Sequence, residues 1–80
     1  MERNEILRQL EKVFRSVFDD EQITLSPEMT ADDIEDWDSL THIQLVVAIE
    51  KSFHVKFTAR EIMEWPNIAA IIDSIVAKQH

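Results

Sequence analysis

The chain has 80 residues, enough for one small domain and close to the lower limit for a core that holds itself together. Its 16 Asp and Glu against 8 Lys and Arg give a formal net charge of −8, so it offers neither nucleic acid nor an anionic membrane the basic face that both require. Cysteine is absent, which excludes disulfides and thiolate metal sites. With 45% hydrophobic and 30% charged residues, the composition fits a folded globular chain. No apolar run is long enough to cross a bilayer, and residues 1–15 alternate charges with aliphatics instead of forming a signal peptide. A monomeric, cytoplasmic protein without membrane insertion is expected. Acidity can serve solubility alone, but its concentration ahead of position 39 favours basic protein partners met by electrostatic steering.

There is no glycine and there are only two prolines, which points to helices, because tight hairpin turns usually need glycine. Ile6, Leu7, Leu10, Val13, Phe14, Val17 and Phe18 recur at three- and four-residue spacing, predicting a first helix over residues 3–18. Residues 19–37 carry no sustained period. They read as a long loop with one short turn begun at Thr30, pinned by Ile23, Leu25, Met29, Ile34 and Trp37. Asp38 is placed to cap a second helix that runs to about Phe53. Thr58-Ala-Arg-Glu61 is a capping-box pattern opening a short third helix that Pro66 should end, and Ile62, Met63 and Trp65 are expected to hold it. Asn67 then caps a last helix with the stripe Ile68, Ile71, Ile72, Ile75 and Val76. The expected fold is all-α, a small four-helix bundle of three main helices and one short one, occupying residues 1–80 as one domain.

The second helix has two apolar lines. Leu45, Val46, Ile49 and Phe53 suit a core, whereas Leu40, Ile43 and Val47 form a second line interrupted by Thr41, Gln44 and Lys51. A helix buried on every side would not tolerate those polar residues, so the second line reads as an exposed docking strip.

Ser39 stands where the two features meet. It follows a run of acids (Asp19, Asp20, Glu21, Glu28, Asp32, Asp33, Glu35, Asp36 and Asp38) with no Lys or Arg among them, and it opens the second helix. A hydroxyl at a helix N-terminus lies beside unpaired N–H groups and the positive end of the dipole, where a phosphate ester would be stabilised. No base stands near it in sequence to make it a nucleophile, so it reads as an attachment point. His42, three residues on, invites a hydrolase reading. That chemistry also wants an oxyanion hole, usually on a glycine-rich turn, and the chain has no glycine. His54 and His80 show no metal-ligand spacing, and the acids at 32, 33, 35 and 36 lack the calcium-loop pattern. Weak divalent binding is expected there, with no dedicated metal site. Trp37 and Trp65 read as anchors for the connections, Trp37 lying close enough to Ser39 to meet whatever is attached there.

Asp38-Ser39-Leu40, the spacing Leu40, Ile43, Leu45-Val46, Ile49, Glu50 and Phe53, and the two later capping signals together resemble the acyl carrier protein family over nearly the whole chain. The resemblance implies that a phosphopantetheinyl transferase moves 4′-phosphopantetheine from coenzyme A onto Ser39. It implies a non-catalytic carrier that holds acyl groups as thioesters and delivers them to acyl-loading and acyl-processing enzymes with basic docking patches. Asp38, Leu40, Ile43, Gln44, Val47 and Glu50 are the partner-binding residues carried over by position. Acids that the fatty-acid-synthesis type has on this helix are replaced here by Thr41, Gln44, Lys51 and Ser52. The Trp-Asp-Ser-Leu form looks more like discrete carriers of specialised metabolism. A peptidyl or aminoacyl carrier, or an unmodified helical interaction module, are the alternatives. The third helix is expected to be the least stable, and cargo to enter between it and the second helix.

Overall fold

The computed structural model describes residues 2–78. Among these, the helices are α1 (Arg3–Val17), α2 (Ser39–Phe53), α3 (Ala59–Met63) and α4 (Ile68–Lys78), with a 3₁₀ turn at Ala31–Asp33 and no strand. The all-α fold of three main helices and a short one is the expected one. Helix α1 packs against both α2 and α4. Ile6, Leu10 and Phe14 of α1 meet Leu45, Ile49 and Phe53 of α2 and Ile68, Ile71, Ile72 and Ile75 of α4, all buried in one cluster. Burial of these side chains is the main source of stability, at about 1.5–3 kcal/mol for each before entropy is counted.

The long connection is bound along its length instead of hanging free. Leu25 and Ile34 are buried, and Ile23, Met29 and Trp37 pack against the core. Its backbone is held by an ion pair on α1: Glu11 and Arg15 lie 3.0 Å apart, the Leu25 amide donates to Glu11 Oε2 at 2.9 Å, and Arg15 Nε donates to the Ile23 carbonyl at 2.8 Å. At its far side the connection closes the start of α4. The Ile68 and Ala69 amides donate to the Met29 and Pro27 carbonyls at 2.9 Å each, and the Ala70 amide to Asn67 Oδ1. Amides that a helix cannot satisfy within itself thereby find partners.

With no glycine to take the left-handed position after a helix, Asp19 (φ 50°) and His54 (φ 56°) do so. The Asp20 amide then donates to the Arg15 carbonyl, and the Val55 amide to the Glu50 carbonyl. Thr30 begins the 3₁₀ turn as expected, through a capping box with Asp33. Two expectations for α3 need correction. Met63 is 85% exposed and anchors nothing. The helix also ends at Met63, before the steric influence of Pro66 on Trp65 is felt, because the Glu64 amide turns back to the Glu61 carbonyl.

Candidate functional site

The start of α2 is fixed by a ring of short hydrogen bonds. Asp38 Oδ1 accepts from the Leu40 and Thr41 amides at 2.9 Å each, and Thr41 Oγ1 accepts from the Asp38 amide at 2.7 Å while donating to the Asp36 carbonyl at 2.8 Å. The Thr41 amide above all, with the Thr41 hydroxyl and the Leu40 amide, holds the Asp38 carboxyl below its ordinary value, against a smaller desolvation effect that raises it. Ser39, the first residue of the helix, is exposed just outside this ring.

The cap expected at Asp38 is present, and it bears on the electrostatics around Ser39. A phosphate on Ser39 would lie at the positive end of α2, but Asp38 already occupies the Leu40 and Thr41 amides. The helix dipole remains as the stabilising influence, and the neighbouring carboxylate opposes it.

Ser39 lines an open groove of about 560 Å³ with Ala31, Trp37, Asp38, His42, Ile43, Ile62, Met63 and Trp65, a volume within the range of small-ligand sites. The groove runs from the α2 N-terminus to the end of α3, and its walls are largely apolar and aromatic. Trp37 stands edge-on to Phe14 at 5.3 Å and stacks against His42 at 5.9 Å; Trp65 stands edge-on to His42 at 5.9 Å and to Phe57 at 4.9 Å. Both tryptophans anchor connections, as expected. Trp65 is fixed by Nε1 donating to Ser74 Oγ at 3.0 Å.

His42 is more deeply engaged than an ordinary surface residue. Its Nδ1 lies 3.0 Å from Trp37 Nε1 and its Nε2 3.3 Å from the Ile62 carbonyl. Both nitrogens are thus occupied, and neither serves as a base for Ser39. Sequence contained the signal for this: His42 lies on the same helical line as Val46, Ile49 and Phe53, which are buried.

The remaining predicted residues divide into two groups. Leu40, Ile43 and Val47 are 68%, 59% and 45% exposed and form one strip with exposed Gln44, continued by Met63 on α3. Asp38 and Glu50 stand at its ends with their carboxylates committed. Glu50 is half-buried, and its Oε2 accepts from the Phe57 amide at 2.8 Å, closing the α2–α3 connection. Helix α3 contributes no buried residue. It is held by its Thr58–Glu61 capping box, by the His42 contact, and by Lys78 Nζ at 2.9 Å from Glu61 Oε1. The Lys78 and Glu50 contacts were not expected from sequence, since both join residues far apart along the chain or across a turn.

Comparison with known proteins agrees with this geometry. A family model described as "Phosphopantetheine attachment site" matches residues 8–75, a span that includes Ser39 and all of α2. Among solved structures, a holo acyl carrier protein from Geobacter metallireducens superposes with a TM-score of 0.85 at 38% sequence identity, covering 91% of this chain and 84% of that one. Comparison with curated proteins gave no match. The family matched in this way is one of non-catalytic carriers. The chain belongs to the acyl carrier protein family, whose cofactor is covalently attached 4′-phosphopantetheine.

Proposed function

We propose that Ser39 is the residue that receives 4′-phosphopantetheine, and that the protein carries acyl intermediates for fatty acid, polyketide or related specialised biosynthesis. The observation that carries this reading is the exposed Ser39 hydroxyl at the first position of a helix whose cap is another residue, Asp38. Attachment there leaves the fold intact, because the ring of hydrogen bonds through Asp38 and Thr41 does not involve the serine side chain. The chain has no cysteine, so the thiol that forms the thioester comes from the prosthetic group. Because His42 has both ring nitrogens engaged, the hydroxyl needs an external phosphopantetheinyl transferase to be modified.

The docking face is Leu40, Ile43, Gln44 and Val47, bounded by Asp38 and Glu50. Both bounding carboxylates are already bonded to backbone amides. Partner enzymes therefore meet an apolar strip first, with the acidic connection adding long-range attraction for basic patches. Salt is expected to slow association more than it weakens the docked complex. The protein would act as a cytoplasmic monomer.

Intact mass measurement after co-expression with a phosphopantetheinyl transferase tests the assignment. The expected result is a gain of one phosphopantetheine that Ser39→Ala abolishes while the variant stays folded. A folded protein that gains nothing with several competent transferases, or a gain that survives Ser39→Ala, rejects it.

A further inference from the structure

We propose that His42 is a proton-sensitive latch that holds α3 closed over the groove beside Ser39. An indole N–H only donates, so the Trp37 contact at 3.0 Å requires Nδ1 of His42 to be unprotonated. The ring hydrogen then sits on Nε2, facing the Ile62 carbonyl at 3.3 Å, which only accepts. The neutral Nε2–H form thus satisfies three segments at once: the connection before α2, α2 itself, and α3. A proton added to Nδ1 sets two N–H groups against each other, and the Trp37 bond is lost. The ring, stacked on Trp37 and edge-on to Trp65, then shifts, and its hold on Ile62 goes with it.

Little else holds α3. It has five residues, none buried; beside its own capping box and the exposed Arg60–Glu64 pair at 3.7 Å, the Lys78–Glu61 pair is what ties it to another element. That pair survives mild acid, because the Lys78 hydrogen bond keeps the Glu61 carboxyl below its ordinary value. Asp38, one turn back on α2, is the other titratable residue lining the groove, and its carboxylate is committed to the Leu40 and Thr41 amides. The faces presented by α3 and by the connection after it are Ile62, Met63 and Trp65, and behind Trp37 stands Phe14 of α1. The consequence for the arm rests on the Ser39 assignment: opening α3 enlarges the groove into which an attached chain can fold.

The test uses the full unmodified chain, so it stands whether or not Ser39 proves to be modified. Trp65 supplies the comparison: it touches the His42 ring edge-on and senses its movement, but its indole N–H bonds to Ser74 and loses no hydrogen bond when the imidazole gains a proton. The indole N–H resonances and the exchange protection of residues 59–63 relative to α4 are followed from about pH 8 to about pH 5, where imidazoles gain their proton. The Trp37 indole is expected to move more than that of Trp65, and relative protection of α3 to fall roughly tenfold, the scale of one hydrogen bond. His42→Gln retains a donor and an acceptor without a titrating proton, and should hold both readouts constant. A Trp37 indole indifferent to pH, α3 protection unchanged, or a His42→Gln protein that responds like the parent each overturns the proposal. The last outcome assigns the response to another group, such as His54.

Discussion

Helices α2 and α3 both begin with a complete capping box, Asp38 with Thr41 and Thr58 with Glu61, yet they are held in different ways. Helix α2 has fifteen residues and buries Leu45, Val46, Ile49 and Phe53; α3 has five and buries none. A capping box fixes where a helix begins. Burial of an apolar face decides how firmly it stays formed, because a single turn cannot offset its own ordering entropy. The groove lies between a rigid wall and a lightly fastened one, with Ser39 on the rigid side.

Removing burial should give the largest contrast. Ile49→Ala is expected to cost about 3 kcal/mol in urea unfolding, a large fraction of the stability of a domain this small. Met63→Ala, at a side chain 85% exposed, should change stability by less than about 0.5 kcal/mol. Equal effects would mean that α3 shares the core after all.

Removing the caps comes next. Asp38→Ala should lower global stability by about 1 kcal/mol, because α2 unfolds only with the core. Thr58→Ala removes a comparable set of bonds, but its effect should appear as faster amide exchange confined to residues 59–63, with little change in the melting midpoint. A Thr58→Ala protein that melts as early as Asp38→Ala would break the comparison.

Acid acts on the same two boxes. Asp38 and Glu61 both have carboxyls held below their ordinary values, by the Thr41 amide first in one case and Lys78 first in the other. Each therefore contributes stability that is whole above the unfolded carboxylate range, about pH 4, and is lost as pH falls through the lower folded value. Asp38→Asn and Glu61→Gln should flatten the acid side of a stability–pH profile relative to the parent. A variant profile as steep as the parent's would place the acid sensitivity elsewhere.

The smallest effect concerns the end of α2. His54 occupies the left-handed region, where glycine is at ease, so His54→Gly should stabilise by at most about 1 kcal/mol in thermal melting. Destabilisation would show that the imidazole makes a contribution that outweighs its backbone strain.

How much of this was legible beforehand varies by residue. The stripe Ile68, Ile71, Ile72 and Ile75 and the α1 pattern announced themselves, since helical periodicity is a local property of the chain. So did Asp38 and Thr58, whose bonds reach only two or three residues ahead. Met63 misled, because in a helix of little more than one turn an apolar side chain has no stripe to show which way it faces. His42 was read only as a neighbour of Ser39, although its spacing from Val46 and Ile49 puts it on the buried line of α2; its partners are Trp37 before the helix and Ile62 twenty residues on.

The sequence by itself determined the helices, their starting points and the serine that opens the second, because capping and periodicity are written within a few neighbouring residues. Only the tertiary structure decided which side chains of that second helix find partners beyond it. It committed Glu50 to the Phe57 amide, closed the start of α4 with carbonyls from the long connection, and set His42 between Trp37 and α3. Those choices depend on which unsatisfied donors and acceptors meet once the apolar faces have collapsed, and distance along the chain does not encode that.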